Sequence, residues 1–123
     1  MNPCKLVALI LAFGAVSQAG AVGNALAGKT AFNKCASCHQ LGPSARGGFG
    51  PQLNAIVGRM AGSTNDYAYS AAMKNARIIW SEKTLAAFLK SPGNVVPGTK
   101  MRFWGISDEQ QIADLLTYLQ TFQ

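Results

Sequence analysis

The pentapeptide Cys35-Ala36-Ser37-Cys38-His39 constrains this chain more than any other stretch. In a C-x-x-C-H pattern, two thiols are close enough to form thioether bonds to both vinyl groups of one haem, and the imidazole that follows can bind its iron. We therefore interpret the pattern as a covalent attachment site for haem c. Cys35 and Cys38 are the predicted attachment points, and His39 is the predicted iron ligand.

The remaining cysteine and histidine content argues against the other uses of such a pattern. His39 is the only histidine, and the third cysteine, Cys4, lies near the N-terminus. A structural zinc site needs four ligands, and only three are left once Cys4 is set aside. A thioredoxin-like dithiol would follow a strand in a βαβ pattern, which this chain lacks. Zinc and redox modules remain minor alternatives, and neither would have a Soret band.

The N-terminal residues have the features of a secretory signal peptide. Lys5 provides a positive charge, and residues 6–16 form an almost unbroken apolar run that is too short to span a bilayer comfortably. Small residues that suit a signal peptidase follow it at Ser17, Ala19 and Ala21.

This pattern predicts a cleaved signal peptide over residues 1–21 and one folded domain over residues 22–123. Cleavage after Ala27 and an uncleaved membrane anchor remain alternatives. Removal of the signal peptide would also remove Cys4, and it implies that a bacterium exports the mature protein to its periplasm.

Size and charge limit what the mature domain can do. About 100 residues bury only a thin core, so we expect the haem to complete that core and the haem-free chain to be largely unfolded. The formal net charge of +6 suggests acidic partners. Nucleic acid is excluded as a partner because the protein is exported and its basic residues are dispersed.

The chain after the signal peptide predicts short helices joined by loops. A helix is expected to open at Gly28 and to turn Phe32 inward, while residues 40–62 are rich in glycine and predict a loop. Two further helices are predicted from their capping residues, Ser70 and Ser81, with Pro92-Gly93 ending the second.

The last helix has the clearest signals of the predicted helices. Ser107-Asp108-Glu109-Gln110 fits a capping box. An apolar stripe follows at helical spacing, formed by Ile112, Leu115, Leu116, Leu119 and Phe122. We expect this stripe to pack on the first helix.

The group opposite His39 decides what a haem here could do. An open site permits ligand binding or peroxide chemistry, whereas a methionine sulfur restricts the iron to electron transfer and raises its potential. Met60, Met73 and Met101 are the candidates. Met101 is favoured because Pro97 and Gly98 place it on a tight, non-helical backbone, but spacing alone leaves the others open.

Several motifs occur together in one order along the chain. They are Cys35-x-x-Cys38-His39, Gly50-Pro51-x-Leu53, Val57-Gly58-Arg59, Tyr69-Ser70, Ile79-Trp80, Thr84-Leu85 and Pro97-Gly98-Thr99-Lys100-Met101. From Gly28 to the C-terminus, the chain therefore resembles the class I c-type cytochromes, of the bacterial cytochrome c2 and mitochondrial cytochrome c type. The resemblance implies an all-α fold in which four or five short helices and glycine-rich loops surround one covalently bound haem, with the terminal helices packed together.

The resemblance also implies a role for each matched residue. His39 and Met101 would be the axial ligands, and the carbonyl of Pro51 would accept a hydrogen bond from His39. Phe103 would cover the haem edge. Donors to the propionates would be Arg59, Tyr69, Trp80 and Thr99. The contact between the terminal helices would involve Gly28, Phe32, Leu115 and Tyr118.

Two departures from the family pattern concern the surface and the haem pocket. Lys34 and Lys100 match members of the lysine ring around the haem edge, but Gly93 and Asn94 stand where lysines are common. Phe88 replaces a tyrosine that often bonds the methionine sulfur. The resemblance thus implies a weaker docking face and a less polar pocket.

The function implied is that of a soluble periplasmic one-electron carrier, a monomer and not an enzyme. Its partners would be acidic redox proteins: a membrane cytochrome complex, a terminal oxidase or a reaction centre. Contact with such membrane complexes would be transient. The alternative is a small haem peroxidase or gas sensor in which Met101 is displaceable.

Overall fold

The computed structural model describes residues 14–15 and 20–123. The predicted signal peptide, residues 1–21, lies almost wholly outside the described residues, as do Cys4, Ser17 and Ala19. In the described part of the chain, no helix is both long enough and apolar enough to cross a membrane.

Five α-helices and one 3₁₀ turn make up the regular structure of residues 20–123. They are α1 (Ala25–Phe32), α2 (Ala71–Asn75), α3 (Glu82–Lys90), α4 (Pro92–Val95), α5 (Glu109–Leu119) and the 3₁₀ turn Gln120–Phe122. These residues contain no strand, and a single antiparallel bridge joins Met60 to Ile79. The predicted all-α fold with four or five short helices is confirmed.

Helix α1 begins at Ala25, earlier than the predicted start at Gly28. The side chain of Asn24 is the reason, because it accepts hydrogen bonds from the backbone N–H groups of Leu26 (2.9 Å) and Ala27 (3.1 Å). Gly28 has a packing role instead. A Cβ there would collide with the carbonyl group of Asp114 in α5, so glycine lets the two helices approach closely.

Helices α2 and α3 begin where the sequence predicted. The hydroxyl of Ser70 accepts from Met73 N–H (3.1 Å), and that of Ser81 accepts from Thr84 N–H (3.1 Å). Helix α3 ends at Lys90, and Pro92 occupies the first position of α4. Proline fits there because its fixed φ suits a helix start and its missing N–H would have no helical partner.

Helix α5 is capped by Asp108 and not by Ser107, one residue later than predicted. The Asp108 carboxylate accepts from Gln110 N–H (2.9 Å) and Gln111 N–H (3.1 Å). The predicted apolar stripe is buried at Ile112, Leu115, Leu116 and Leu119. It packs on α1, so the terminal helices meet as expected.

Candidate functional site

The segment that follows α1 and the segment that follows α4 border the same cleft. One cavity of about 360 Å³ is lined by Cys35, Cys38 and His39, and also by Thr99, Met101 and Phe103. A smaller cavity of about 90 Å³ adjoins it, since Cys35, His39 and Met101 border both. The predicted attachment residues and the predicted sixth ligand therefore border one continuous space.

Much of the apolar core borders this cleft. In the described part of the chain, eight of the 14 buried hydrophobic residues line the smaller cavity: Phe32, Ile56, Trp80, Leu85, Phe88, Leu89, Leu115 and Leu119. A flat apolar group in the cleft would therefore contact side chains that the fold already shields from water.

His39 is held by a backbone acceptor. Its Nδ1 lies 2.8 Å from the carbonyl oxygen of Pro51, the contact that the resemblance implied. Because a carbonyl can only accept, Nδ1 carries the proton and Nε2 keeps a free lone pair. Burial lowers the pKa of His39, the bond to Pro51 opposes this, and nearby Arg59 lowers it further. Burial thus favours the neutral form of the ring, which is the form that binds a metal.

Gly50 provides the space that the His39 ring needs. A Cβ at this position would lie 2.7 Å from His39 Cε1 and 2.9 Å from Nδ1, far inside van der Waals contact. The Gly50 N–H also donates to the carbonyl oxygen of Cys38 (2.9 Å). Glycine here lets the backbone pass beside the imidazole and fixes the distance to Pro51.

The two cysteines lie on a tight turn directly after α1. The N–H groups of Cys38 and His39 both donate to the carbonyl oxygen of Cys35, at 3.0 and 2.9 Å. Cys35 is half-buried and Cys38 exposed, and no disulfide joins them. Burial raises the pKa of the Cys35 thiol, Lys34 partly offsets the rise, and Cys38 adds to it.

The three methionine candidates differ in which of the two cavities they border. Met101 and Met73 both border the two cavities, whereas Met60 borders only the smaller one. Met73 belongs to helix α2. Met101 lies on a non-helical segment, where its N–H donates to the Thr99 hydroxyl (3.3 Å).

Three of the four predicted propionate donors border the smaller cavity. Arg59 borders it and donates to the carbonyl oxygens of Gln52 (2.7 Å) and Asn54 (3.0 Å). Burial lowers the pKa of the Arg59 guanidinium. Tyr69 and Trp80 border the same cavity. Thr99 is apart from these three, because it lines only the larger cavity.

Three residues contribute to the site without having been singled out for it. The hydroxyls of Thr64 and Tyr69 lie 2.7 Å apart, and the Tyr67 ring packs edge-on against Tyr69 at 4.8 Å. Gln52 supplies a carbonyl to Arg59. Tyr67 could have been suspected from its position two residues before Tyr69. The other contacts depend on the path of the loop, for which the sequence carries no local signal.

Comparison with known proteins decides the family. The family model described as Cytochrome c matches residues 25–123. The chain is 47% identical to cytochrome c-550 of Bradyrhizobium diazoefficiens over 98 residues, covering 80% of this chain and 72% of the relative. It is 38% identical to cytochrome c2 of Blastochloris viridis over 118 residues, covering 96% and 93%. The chain belongs to the cytochrome c family. The expected resemblance is thereby confirmed.

A solved cytochrome of this family has the same fold. Cytochrome cH from Methylobacterium extorquens superposes with a TM-score of 0.76 at 41% identity, covering 80% of this chain and 99% of that one. As a member of the cytochrome c family, the chain is a small electron carrier with one covalently attached haem c.

The residues bordering the cleft fit that group. Two thiols stand on one turn, a neutral imidazole follows them, and apolar core side chains line the space behind. Among residues 14–15 and 20–123, no three Cys, His, Asp or Glu side chains cluster as a metal site. The minor zinc alternative therefore has no site in the described part of the chain.

Proposed function

We propose that this cytochrome is a periplasmic one-electron carrier whose haem iron is low-spin and bound by His39 and Met101. One observation carries the proposal. The bond from His39 Nδ1 to Pro51 leaves Nε2 free on a ring that lines the cleft, and Met101 lines the same cleft. When bound, haem c supplies a one-electron iron couple.

In this proposal the protein holds the redox centre fixed. Cys35 and Cys38 attach it, and the bond to Pro51 keeps the His39 ring in one orientation and raises its basicity. Met101 would be the second protein ligand of the iron and would keep water and exogenous ligands from binding there. Solvent and ligand rearrangement on electron transfer is thereby kept small.

The polar residues of the cleft would receive the propionates. The Arg59 guanidinium is held by Gln52 and Asn54, so it presents a positive charge without reorganising. Tyr69 and Trp80 border the same cavity, Thr99 lines the adjoining one, and all carry donor groups. Phe103 lines the larger cavity and would cover the haem edge.

An optical spectrum tests the proposed ligands. The oxidised protein should show the weak sulfur-to-iron band in the near infrared, and Met101→Ala should abolish it and open the iron to carbon monoxide or cyanide. Met73→Leu is the matched control because Met73 borders the same cavities. If Met73→Leu removes the band and Met101→Ala does not, the proposed ligand is wrong. If the unaltered protein binds these ligands at once, the peroxidase or sensor alternative replaces the carrier.

We also propose that residues 1–21 are a signal peptide removed on export. The contacts of the residues that follow support a cut before Val22. The carbonyl of Val22 accepts from the Gln110 side chain, and Asn24 N–H donates to the Asp114 carboxylate, both at 2.7 Å. Cleavage after Ala27 would delete these bonds and the α1 cap. The intact mass of the exported protein should correspond to an N-terminus at Gly20 or Val22, and a start at Gly28 would contradict the proposal.

The charges of the residues that border the cleft favour an acidic partner. Among the residues that the structure describes, three basic ones border its larger cavity, Lys34, Lys100 and Arg102, and no Asp or Glu does. We infer that the protein acts as a monomer that meets acidic sites on membrane complexes transiently. Association should slow as ionic strength rises. A rate of electron transfer to such a complex that is independent of salt would contradict electrostatic steering.

A further inference from the structure

Trp104 is the most exposed large apolar side chain in the described part of the chain. Its ring is fully accessible (102%), whereas the other tryptophan, Trp80, is 5% exposed and lies in the core. Trp104 borders neither cavity of the cleft, so a group bound there does not account for it. A fully exposed indole offers a large apolar area that a partner can cover, and tryptophan is enriched among the residues that dominate binding at interfaces.

The backbone holds Trp104 outward beside the cleft. Side chains alternate from Met101 to Trp104, since Met101 and Phe103 are half-buried in the larger cavity and Arg102 and Trp104 are exposed. Immediately afterwards, Ile106 N–H donates to the carbonyl oxygen of Leu89 (2.8 Å), which ties the segment to α3.

Gly105 makes this path possible. It has a φ of +104°, and a Cβ there would collide with the carbonyl group of Lys90. The indole is therefore presented by an anchored segment and not by a loose loop. Little backbone entropy therefore remains to be lost when a partner covers the indole.

The charged residues that border the cleft indicate what kind of partner would bind. Arg102 is exposed two residues away from Trp104, and Lys34 and Lys100 border the same cavity as Arg102. Glu82 and Glu109 line a separate groove of about 590 Å³ between α3 and α5, which shares no residue with the cleft. Asp108, four residues after Trp104, accepts hydrogen bonds from the N–H groups of Gln110 and Gln111 as the cap of α5. Among the described residues, the cleft that Phe103 lines next to Trp104 is thus bordered by basic side chains and by no Asp or Glu.

We propose that Trp104 is the apolar anchor by which this cytochrome docks on its redox partner, and that the partner presents an apolar recess bordered by carboxylates. The inference rests on the proposed carrier function. Positive charge steers the encounter, and insertion of the indole holds the complex with the cleft against the partner. The anchor compensates for the sparse lysine ring, because salt does not screen the contribution of an apolar contact to the affinity of the complex.

The test is oxidation of the reduced protein by a purified, detergent-solubilised bacterial terminal oxidase, followed over a range of oxidase concentrations. Trp104→Ala should weaken the complex about 30-fold, the loss typical of a central aromatic anchor, at both low and high ionic strength. Trp104→Phe should recover most of the affinity. Leu26→Ala is the matched control, since Leu26 is 79% exposed on α1 and borders neither cavity.

A second variant separates steering from anchoring. Lys100→Gln should slow association at low salt and have little effect at high salt. The spectrum of Trp104→Ala and its oxidation by ferricyanide should match those of the unaltered protein. If neither ferricyanide nor the oxidase oxidises the reduced unaltered protein, the carrier function itself fails, whereas a normal spectrum and unchanged oxidase affinity of Trp104→Ala would overturn the docking proposal alone.

If this surface binds a second copy of the chain or a membrane, the Trp104→Ala variant would give different results. If Trp104→Ala abolishes self-association in analytical ultracentrifugation, the surface binds a second copy of the chain. If the variant loses binding to vesicles of anionic phospholipid, the surface binds membranes. Either result, with oxidase affinity unchanged, would overturn the proposed partner.

Discussion

The Nδ1 atom of His39 lies 2.8 Å from the carbonyl oxygen of Pro51, and this distance depends on the glycine that precedes the proline. The imidazole and the loop backbone pass each other with no room for a side chain. The orientation of the proposed iron ligand is therefore set by a residue that never touches the metal.

Gly50→Ala should disturb His39 directly. The added methyl group would lie 2.7 Å from the ring, so the imidazole must tilt and the bond to Pro51 must lengthen. We expect a lower yield of haem-loaded protein and a loss of about 1–3 kcal/mol in the free energy of unfolding. Chemical denaturation, followed by absorbance in the Soret band, measures the change in the free energy of unfolding. Gly48→Ala is the control, because a Cβ at Gly48 meets nothing within 4 Å. Equal losses in both variants would contradict this explanation.

Gly28→Ala should separate the terminal helices. The methyl group would meet the Asp114 carbonyl and lie 2.7 Å from Tyr118 Cβ, and both belong to α5. Overpacking of this kind typically costs about 1–3 kcal/mol. Thermal unfolding measured by circular dichroism should show a lower midpoint. In contrast, Gly93→Ala in α4 meets open space and should have little effect or raise stability slightly.

Arg59→Lys should destabilise the loop even though the charge is kept. The guanidinium bonds the carbonyl oxygens of Gln52 and Asn54 at once, and an ammonium cannot reproduce that planar geometry. Hydrogen bonds from a charged donor contribute about 1.5–3 kcal/mol, and we expect a loss within that range in denaturant titration. Arg46→Lys serves for comparison because Arg46 is exposed. If the two variants have equal free energies of unfolding, the hydrogen bonds from Arg59 do not stabilise the loop.

Removal of haem should unfold most of the domain. Eight core side chains line the smaller cavity, so the haem-free chain would expose them or leave them without packing partners. A Cys35→Ala/Cys38→Ala variant, which cannot attach haem, should show little helical circular dichroism and no cooperative melt. A folded, cooperative haem-free chain would show that the helices form a sufficient core by themselves.

The sequence predicted the elements whose signals are local. Ser70 and Ser81 mark helix starts because their hydroxyls satisfy free N–H groups in the first turn. The same chemistry explains the error at α5, where Ser107 and Asp108 are both good caps and the choice depends on how the chain enters the helix. Gly28 was misread as a helix start because its close approach to α5 is a tertiary contact.

The limits of prediction are sharpest at the cleft. The Cys35-x-x-Cys38-His39 pattern carries its own chemistry, and spacing placed Met101 on a suitable segment. The presence of Met73 beside the same cavities depends on where helix α2 packs, which no local pattern specifies. The exposure of Trp104 could not be predicted either, since it depends on the alternation of side chains from Met101 to Trp104 and on the positive φ of Gly105, which only the folded backbone shows.

The packing of α1 on α5 has a consequence for the order of events during biosynthesis. The ribosome makes α1 first and α5 last, and Asn24 must wait for Asp114, 90 positions later, before its N–H finds its partner. Contacts between distant parts of a chain form late and cannot form before both parts exist. The contact that joins the two ends of the domain therefore forms only once the whole chain is present, and until then no packed terminal helices enclose the turn with Cys35 and Cys38.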